Sequence, residues 1–285
     1  VERKHPVPPK LTNNYSSETK AQIKQADLVL LVCGYDGTLV PHVQPHEEAH
    51  MAETVHDHLA KIAEIPSVRL AVISGRSLLD LREHLKVDNC HYFCNHGFEI
   101  SGPDLNFHHS VAEKCRPIIH EAANTLRIQL RAERAYVEDR GLTASLNYRA
   151  VLESQVSSLL PKARNLLASF VRERQIRIEE GRRTLEILPG VDWDRGKAVN
   201  MLYQSYRATF PDKKIALLYV GDDAMDEPAF KFALSTGIPY RVTQTRITEA
   251  RFYLKMQTEI SRILKLVREN APRNALDQAR EKVVL

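Results

Sequence analysis

The sequence is short of the features that mark special classes of protein. Among its 285 residues are 4 cysteines, 11 glycines and a single tryptophan. So few cysteines exclude a disulfide-built scaffold, and so few glycines exclude a collagen-like repeat. No apolar run approaches the ~18 residues of a membrane span; the longest are Leu28–Cys33 and Ile215–Val220. There is no excess of one charge. The net charge is +4, and the basic residues lie scattered among acids without interleaved aromatics, so a nucleic-acid module is not expected. No CxxC pair exists, which argues against a zinc site. Cys90 and Cys94 on one strand would sit about 13 Å apart, too far for a disulfide, and with Cys33 and Cys115 they read as buried free thiols. His42, His46, His50, His56 and His58 lack partners at metal-ligand spacing and read as a solvated helix face. The segment Val1–Pro6 has no apolar core and is not a signal peptide. Lacking a starting methionine, the chain reads as trimmed or cut from something longer. The cytoplasm is the expected compartment.

What is present is an ordinary globular composition, 43% hydrophobic and 27% charged. The length suits one large domain or two modest ones and buries enough surface to need no disulfide or metal for folding. Residues 1–15 read as an extended arm, and Ser16 or Ser17 as the cap of a short helix ending near Ala26. Leu28–Cys33 and Val68–Ile73 are continuous apolar runs, the mark of strands buried on both faces. Helices are expected at Glu47–Ala63 and Leu78–Leu85, and a third strand at His91–Cys94. Strands alternating with helices imply a parallel sheet. The rhythm then changes: a long helix over Val111–Arg131, strands Ala135–Glu138 and Thr143–Tyr148, a helix over Leu152–Val171, and a hairpin of Ile176–Glu179 and Thr184–Leu188 around Gly181. This α+β block reads as an insertion. Afterwards the α/β pattern resumes with helix Arg195–Tyr206, strand Ile215–Val220, helix Asp226–Leu234, strand Ile238–Val242 and helix Thr258–Arg268. The expected fold class is α/β, a Rossmann-like parallel-sheet core (1–108 and 189–285) carrying an inserted α+β cap (109–188).

Ligands of parallel sheets bind beyond the carboxyl ends of the strands. Four polar clusters fall there: Gly34-Tyr35-Asp36-Gly37-Thr38, Ser74-Gly75-Arg76, Lys197 at a helix start, and Gly221-Asp222-Asp223 with Asp226-Glu227. They offer carboxylates for a hard cation, a hydroxyl and an ammonium for phosphate oxygens, and glycines that let backbone N–H groups approach an anion. Each alone is weak; Asp-Gly-Thr is usually a turn and Ser-Gly-Arg usually a helix cap. Their order and placement together point to phosphoryl chemistry.

With the stretches Gly34–Pro41, Ile73–Arg76, Asn95–Ile100, Val137–Leu142, Asn147–Arg149, Leu185–Ala198 and Tyr219–Glu227, the sequence resembles the trehalose-phosphate phosphatases of the haloacid-dehalogenase superfamily. The likeness runs from about Leu28 to Val267. The blocks around His96, Glu138 and Leu185–Lys197 are specific to the sugar-phosphate family; the others are shared across the superfamily. The resemblance implies a two-step transfer. The first Asp of an Asp-x-Asp-Gly-Thr motif attacks phosphorus, and the second, here Asp36, protonates the leaving oxygen and then activates water. It implies Mg2+, with Asp36 and Asp222 as ligands and Asp226 a ligand or just behind one. Ser74 and Lys197 would hold the phosphoryl oxygens, with Thr38 completing the cradle. Arg76, Asn95, His96, Gly97 and Glu99 on the core, and Glu138, Arg140, Asn147, Arg149 and Glu186 on the cap, would contact substrate. His96 also has a purely structural reading. The remaining cap arginines, among them Arg131, Arg134, Arg172, Arg174, Arg182 and Arg183, read as solvated surface.

One departure dominates. The nucleophile position is Gly34, so no aspartyl phosphate can form there and one metal-binding carboxylate is missing. Tyr35 points to the other strand face and cannot substitute. Water attacking directly would lose the advantage of a fixed nucleophile, up to about 7–11 kcal/mol, so little or no turnover is expected. Gly34 has two readings: an engineered change that traps a complex, or a natural pseudoenzyme. The other catalytic positions are intact, which favours a recent or deliberate loss. Arg195 stands where the family usually has Lys, and Asn147 where it often has His. The expected function is a Mg2+-dependent trehalose 6-phosphate phosphatase deprived of its nucleophile; the alternative is a sugar-phosphate-binding regulatory pseudophosphatase. The expected partner is a small sugar phosphate, with neither nucleic acid nor membrane, and with association or fusion to a trehalose-phosphate synthase left open.

Overall fold

The computed structural model describes residues 10–11, 15–42, 50–131, 133–245 and 247–272. In chain order the first strands are β1 (Lys10–Leu11), β2 (Leu28–Gly34), β3 (Val68–Ile73), β4 (Cys90–Cys94), β5 (Glu99–Ser101) and β6 (Asn106–His108). Then come β7 (Tyr136–Asp139), β8 (Ala144–Asn147), β9 (Ile176–Gly181) and β10 (Thr184–Pro189), followed by β11 (Ile215–Gly221), β12 (Gly237–Val242) and β13 (Phe252–Leu254). One sheet has the order β1-β13-β12-β11-β2-β3-β4-β5-β6, parallel as far as β4 and antiparallel beyond it. A second, antiparallel sheet has the order β7-β8-β10-β9.

The two-residue period of a strand explains why β2 is apolar throughout. Val29, Leu31 and Cys33 enter one core, shared with helices Glu53–Ala63, Leu78–Leu85 and Ile260–Asn270. Leu28, Leu30 and Val32 enter another, shared with helices Arg195–Thr209 and Glu227–Thr236. A strand flanked by helices on both faces has no polar side to show. The same alternation sends Tyr35 into the first core and leaves Gly34 on the opposite face. β2 pairs with β3 on one side and β11 on the other. Strand order reverses there, which opens a crevice beyond Gly34 and Gly221.

Several expected elements are shifted. The helix expected over Val111–Arg131 is two, Ser110–Lys114 and Arg116–Gln129. Pro117 supplies no N–H at the start of the second and so favours a fresh helix start over continuation. Leu152–Val171 likewise divides into Glu153–Leu166 and Ala168–Arg172. The helix expected from Glu47 begins at Glu53, Ala52 being extended; residues 43–49, including His46, lie outside the described residues. Within the arm Lys10–Leu11 is a strand on β13, and the first helix begins at Tyr15, ahead of Ser16 and Ser17. The tail from residue 273 lies outside the described residues. Cys33, Cys90 and Cys94 are buried free thiols; Cys115 is only half-buried. Among the described residues no helix is long and apolar enough to cross a membrane.

Candidate active site

The crevice is lined by loops from both sheets. Asp36 lies in the turn after β2, and its carboxylate is gripped by Arg76, Nη2 at 2.9 Å and Nε at 3.0 Å, with Ser74 Oγ donating at 3.2 Å. Arg76 is itself braced by Asp80 at 2.9 Å and lies over the Tyr35 ring. Asp222, at the end of β11, accepts from His42 Nε2 at 2.7 Å and, weakly, from Thr38 Oγ1 at 3.4 Å. Burial pushes the Asp222 carboxyl above its ordinary range, against the pull of His42.

The second sheet closes over these loops. Glu186 on β10 accepts from Ser145 at 2.9 Å, from Arg140 at 3.2 Å and from His96 Nε2 at 3.2 Å. Arg195 donates to His96 Nδ1 at 3.2 Å, so the ring is a neutral tautomer with its proton on Nε2. Burial holds the His96 pKa below its ordinary value. Burial would raise Glu186, but the charge of Arg140 and the donors around it hold it well below the usual carboxylate range. Glu138 holds the Arg140 guanidinium, accepting from Nε at 2.9 Å. Gly75 permits this closure: a Cβ there would fall 2.7 Å from His96 and 2.8 Å from Arg140. A second seam is the backbone N–H of Arg182 on Asp223 at 3.2 Å. The cavity between the sheets is ≈ 60 Å³.

Asp36, Ser74, Arg76, His96, Arg140, Asn147, Arg149, Glu186 and Asp222 all line the cavity. Thr38 is drawn to it through Asp222. Asn95 and Glu99 stand behind it, Asn95 accepting from Thr143 at 2.9 Å and Glu99 paired with His108 at 3.2 Å. Glu138 acts through Arg140. Gly97, at φ +87°, lets helix Arg195–Thr209 approach, since a Cβ there would meet Ala198 at 2.5 Å.

Three expectations are corrected. Lys197 does not reach the cavity; its ammonium turns outward to Asp192, and the cation facing inward from that helix is Arg195. For Asp226 it is the ligand alternative that is corrected, because it stands behind Asp222 with both oxygens occupied. Arg195 at 2.5 Å and Tyr219 at 2.6 Å occupy one oxygen, and the backbone N–H groups of Asp222 and Asp223, at 2.9 and 3.0 Å, the other. His42 belongs to no solvated helix face but to the site. The helical period separates the first pair: Arg195 shares the apolar stripe of Ala198, Val199 and Leu202, and Lys197 lies across the helix from it. Nothing in the sequence pattern marks His42, which reaches Asp222 only by folding.

Asp36, Gly34 and Asp222 do not assemble a magnesium cage. Gly34 brings no carboxylate, Asp36 is taken by Arg76, and Asp222 by His42. Among the described residues no group of three or more His, Cys, Asp or Glu side chains is placed to hold a metal ion. Arg149 is different again. It lines the cavity, its backbone N–H bonds Asn147 at 3.1 Å, and its guanidinium has no hydrogen-bond or ion-pair partner among the described residues. Burial lowers its pKa, with Asp36 and Glu186 opposing.

A mostly parallel, doubly wound sheet with a small antiparallel sheet over its carboxyl ends, and the loops of Asp36, Ser74 and Asp222 meeting beneath it, define a haloacid-dehalogenase-like phosphatase fold. A solved structure of the C. albicans trehalose-6-phosphate phosphatase C-terminal domain superposes with a TM-score of 0.80 at 18% identity, covering 92% of this chain and 98% of that one. The Candida albicans trehalose synthase regulatory protein C-terminal domain superposes with a TM-score of 0.69 at 10% identity, covering 94% and 100%. In sequence the chain is 28% identical over 262 residues to the probable trehalose-phosphate phosphatase D of Arabidopsis thaliana, covering 87% of this chain and 69% of that protein. Residues 32–258 match the trehalose-phosphatase family model. The chain belongs to the trehalose-phosphatase family.

Proposed function

We propose that this chain binds trehalose 6-phosphate between its two sheets and does not hydrolyse it. The observation that carries the binding is Arg149. Every other guanidinium facing the cavity is already matched to a carboxylate, whereas this one is held at the wall without a partner among the described residues, and a phosphate monoester supplies one. Ser74, whose hydroxyl donates to Asp36, lines the same cavity. Glu186, Asn147 and the Arg140–Glu138 pair present donors and acceptors suited to sugar hydroxyls. The family supplies the sugar.

The missing hydrolysis follows from Gly34. Its position at the end of β2 lies 3.7 Å, measured from the Cβ it lacks, from the Gly221 backbone, with no nucleophilic atom to offer phosphorus. Phosphatases of this superfamily typically use Mg2+, for which Asp36, held by Arg76, and Asp222, held by His42, do not form a cage. Asp36, held by Arg76, keeps the place of an acid without an attack to assist.

At ≈ 60 Å³ the cavity is far below the roughly 300–1,000 Å³ of ligand pockets. Residues 109–188 therefore act as a lid that opens to admit the disaccharide and closes through Arg140, Glu186 and Gly75. Buried thiols at Cys33, Cys90 and Cys94 suit a reducing cytoplasm. The proposed partner beyond the sugar phosphate is a trehalose-phosphate synthase, through which a non-hydrolysing domain would report the ligand.

Phosphate release from trehalose 6-phosphate tests the reading. The unmodified chain is expected to release none above background, and release at an ordinary enzymatic rate overturns the proposal. A second reading, an enzyme lacking only its nucleophile, is favoured by the placement of Asp36, Ser74 and Asp222 in one cavity. Gly34 sits on extended backbone, and a Cβ there meets only the Thr38 hydroxyl at 2.9 Å as a tight contact, which can rotate away. Rescue by Gly34→Asp alone supports that second reading.

A further inference from the structure

We propose that His42 stands in for the divalent cation at Asp222, so that the cavity takes its phosphate ligand without metal. The proposal rests on the binding function above and states how that site is built.

A magnesium ion demands near-octahedral oxygen ligation at about 2.0–2.1 Å, normally through one or two carboxylates, waters and substrate oxygens. Of the four acidic positions that meet at the strand ends, Asp36 is closed by a bidentate guanidinium, Asp226 by four donors, and Asp223 is turned to the backbone N–H groups of Ala224 and Arg182. Asp222 alone remains. It is buried, 8% exposed, and a buried charge needs a partner.

That partner is already in the chain. His42 Nε2 lies 2.7 Å from Asp222 Oδ2, and the imidazole is itself mostly covered, its side chain 17% exposed. The contact is a consequence of the turn before it. Gly37, at φ +77°, brings the backbone so close that a Cβ would lie 2.1 Å from Asp222 Oδ2 and 2.2 Å from His42 Nε2. Turn, ring and carboxylate thus fill one small volume, and a hydrated cation entering it must displace the ring. Gly34 brings no carboxylate, and His42 brings a donor to the carboxylate of Asp222. A site with one acid fewer needs one cation fewer. Its phosphate ligand then meets Arg149, with Arg195 behind.

Two arms test this. In the first, Mg2+ alone is titrated into the unmodified chain by calorimetry. No saturable binding is expected; binding that disappears in Asp222→Asn overturns the proposal. In the second, trehalose 6-phosphate affinity is compared in Mg2+ and in chelator. The unmodified chain is expected to show the same affinity in both, within about twofold. His42→Ala and His42→Ser, checked for folding by thermal melting, are expected to become Mg2+-dependent, binding about tenfold tighter with the ion. A tenfold Mg2+ effect in the unmodified chain, or none in either folded variant, overturns it. The arms separate two failures: absence of sugar-phosphate binding in every condition sinks the functional reading, while the Mg2+ titration still judges the role of His42.

Discussion

Arg195 and Lys197 stand two positions apart at the start of one helix and do different work. Arg195 is locked between Asp226 and His96, whereas Lys197 pairs with an exposed aspartate. Arg195→Ala leaves Asp226 buried without its cation and is expected to cost about 3–5 kcal/mol of stability. Lys197→Ala is expected to stay within about 0.5 kcal/mol; urea unfolding of both variants checks the contrast. Arg149→Ala should behave in the opposite sense, leaving stability almost unchanged and weakening trehalose 6-phosphate binding about 10- to 100-fold. That loss corresponds to one charged hydrogen-bonding group at about 1.5–3 kcal/mol, read by calorimetry. At this scale the sequence reveals residue type and spacing, which is why it could point to Asp36, Ser74 and Asp222, three residues that line one cavity. It conceals which of two nearby cations turns inward unless the helix face is counted. The His42–Asp222 contact spans 180 positions in the chain, and no local pattern carries such a pair.

Among the elements, the long buried strands and the amphipathic helices were readable because burial on both faces, or on one stripe, leaves a period. β5, β6 and β13 are three residues each, too short to show one, even though β5 and β6 pair with the strands just before them. The loop between β5 and β6 is pinned to helix Arg195–Thr209 by Asp104, which accepts from His91 at 2.7 Å and from Tyr206 at 2.6 Å. Burial raises the Asp104 pKa, but the bonds from His91 and Tyr206 and the charges of His91 and Arg69 outweigh it and leave the group at about 2. A carboxyl depressed in the folded state stabilises above its unfolded pKa of about 3.9, and the contribution is lost as pH falls through the folded value. Asp104→Asn is therefore expected to flatten the fall in stability between about pH 4 and 2. Thermal melts across that range would show a parallel, undiminished fall if the pinning were inert.

For the whole molecule, what matters is how the small sheet meets the large one. Among the contacts that hold it are Glu186 and Arg140 over Gly75 and His96, the Arg182 backbone on Asp223, Thr143 on Asn95, and an apolar cluster of Phe98, Leu142, Leu188 and Met225. Gly75→Ala places a methyl group into His96 and Arg140, which should hold the lid partly open. The expected result is weaker trehalose 6-phosphate binding with a melting temperature little changed. Unaltered affinity would show that closure does not build the sugar site. The change of rhythm after His108 and its return after Pro189 bracket the strands β7 to β10 of the small antiparallel sheet. The seams were not legible, because they join residues from both blocks that no single segment predicts.

The most direct test of the central claim is a calorimetric titration of trehalose 6-phosphate into the unmodified chain, with inorganic phosphate assayed in the same cell afterwards. Saturable one-to-one binding without phosphate release is expected, since Arg149 receives the anion and Gly34 offers phosphorus nothing. A cell that shows no binding, or one in which phosphate accumulates, contradicts the account.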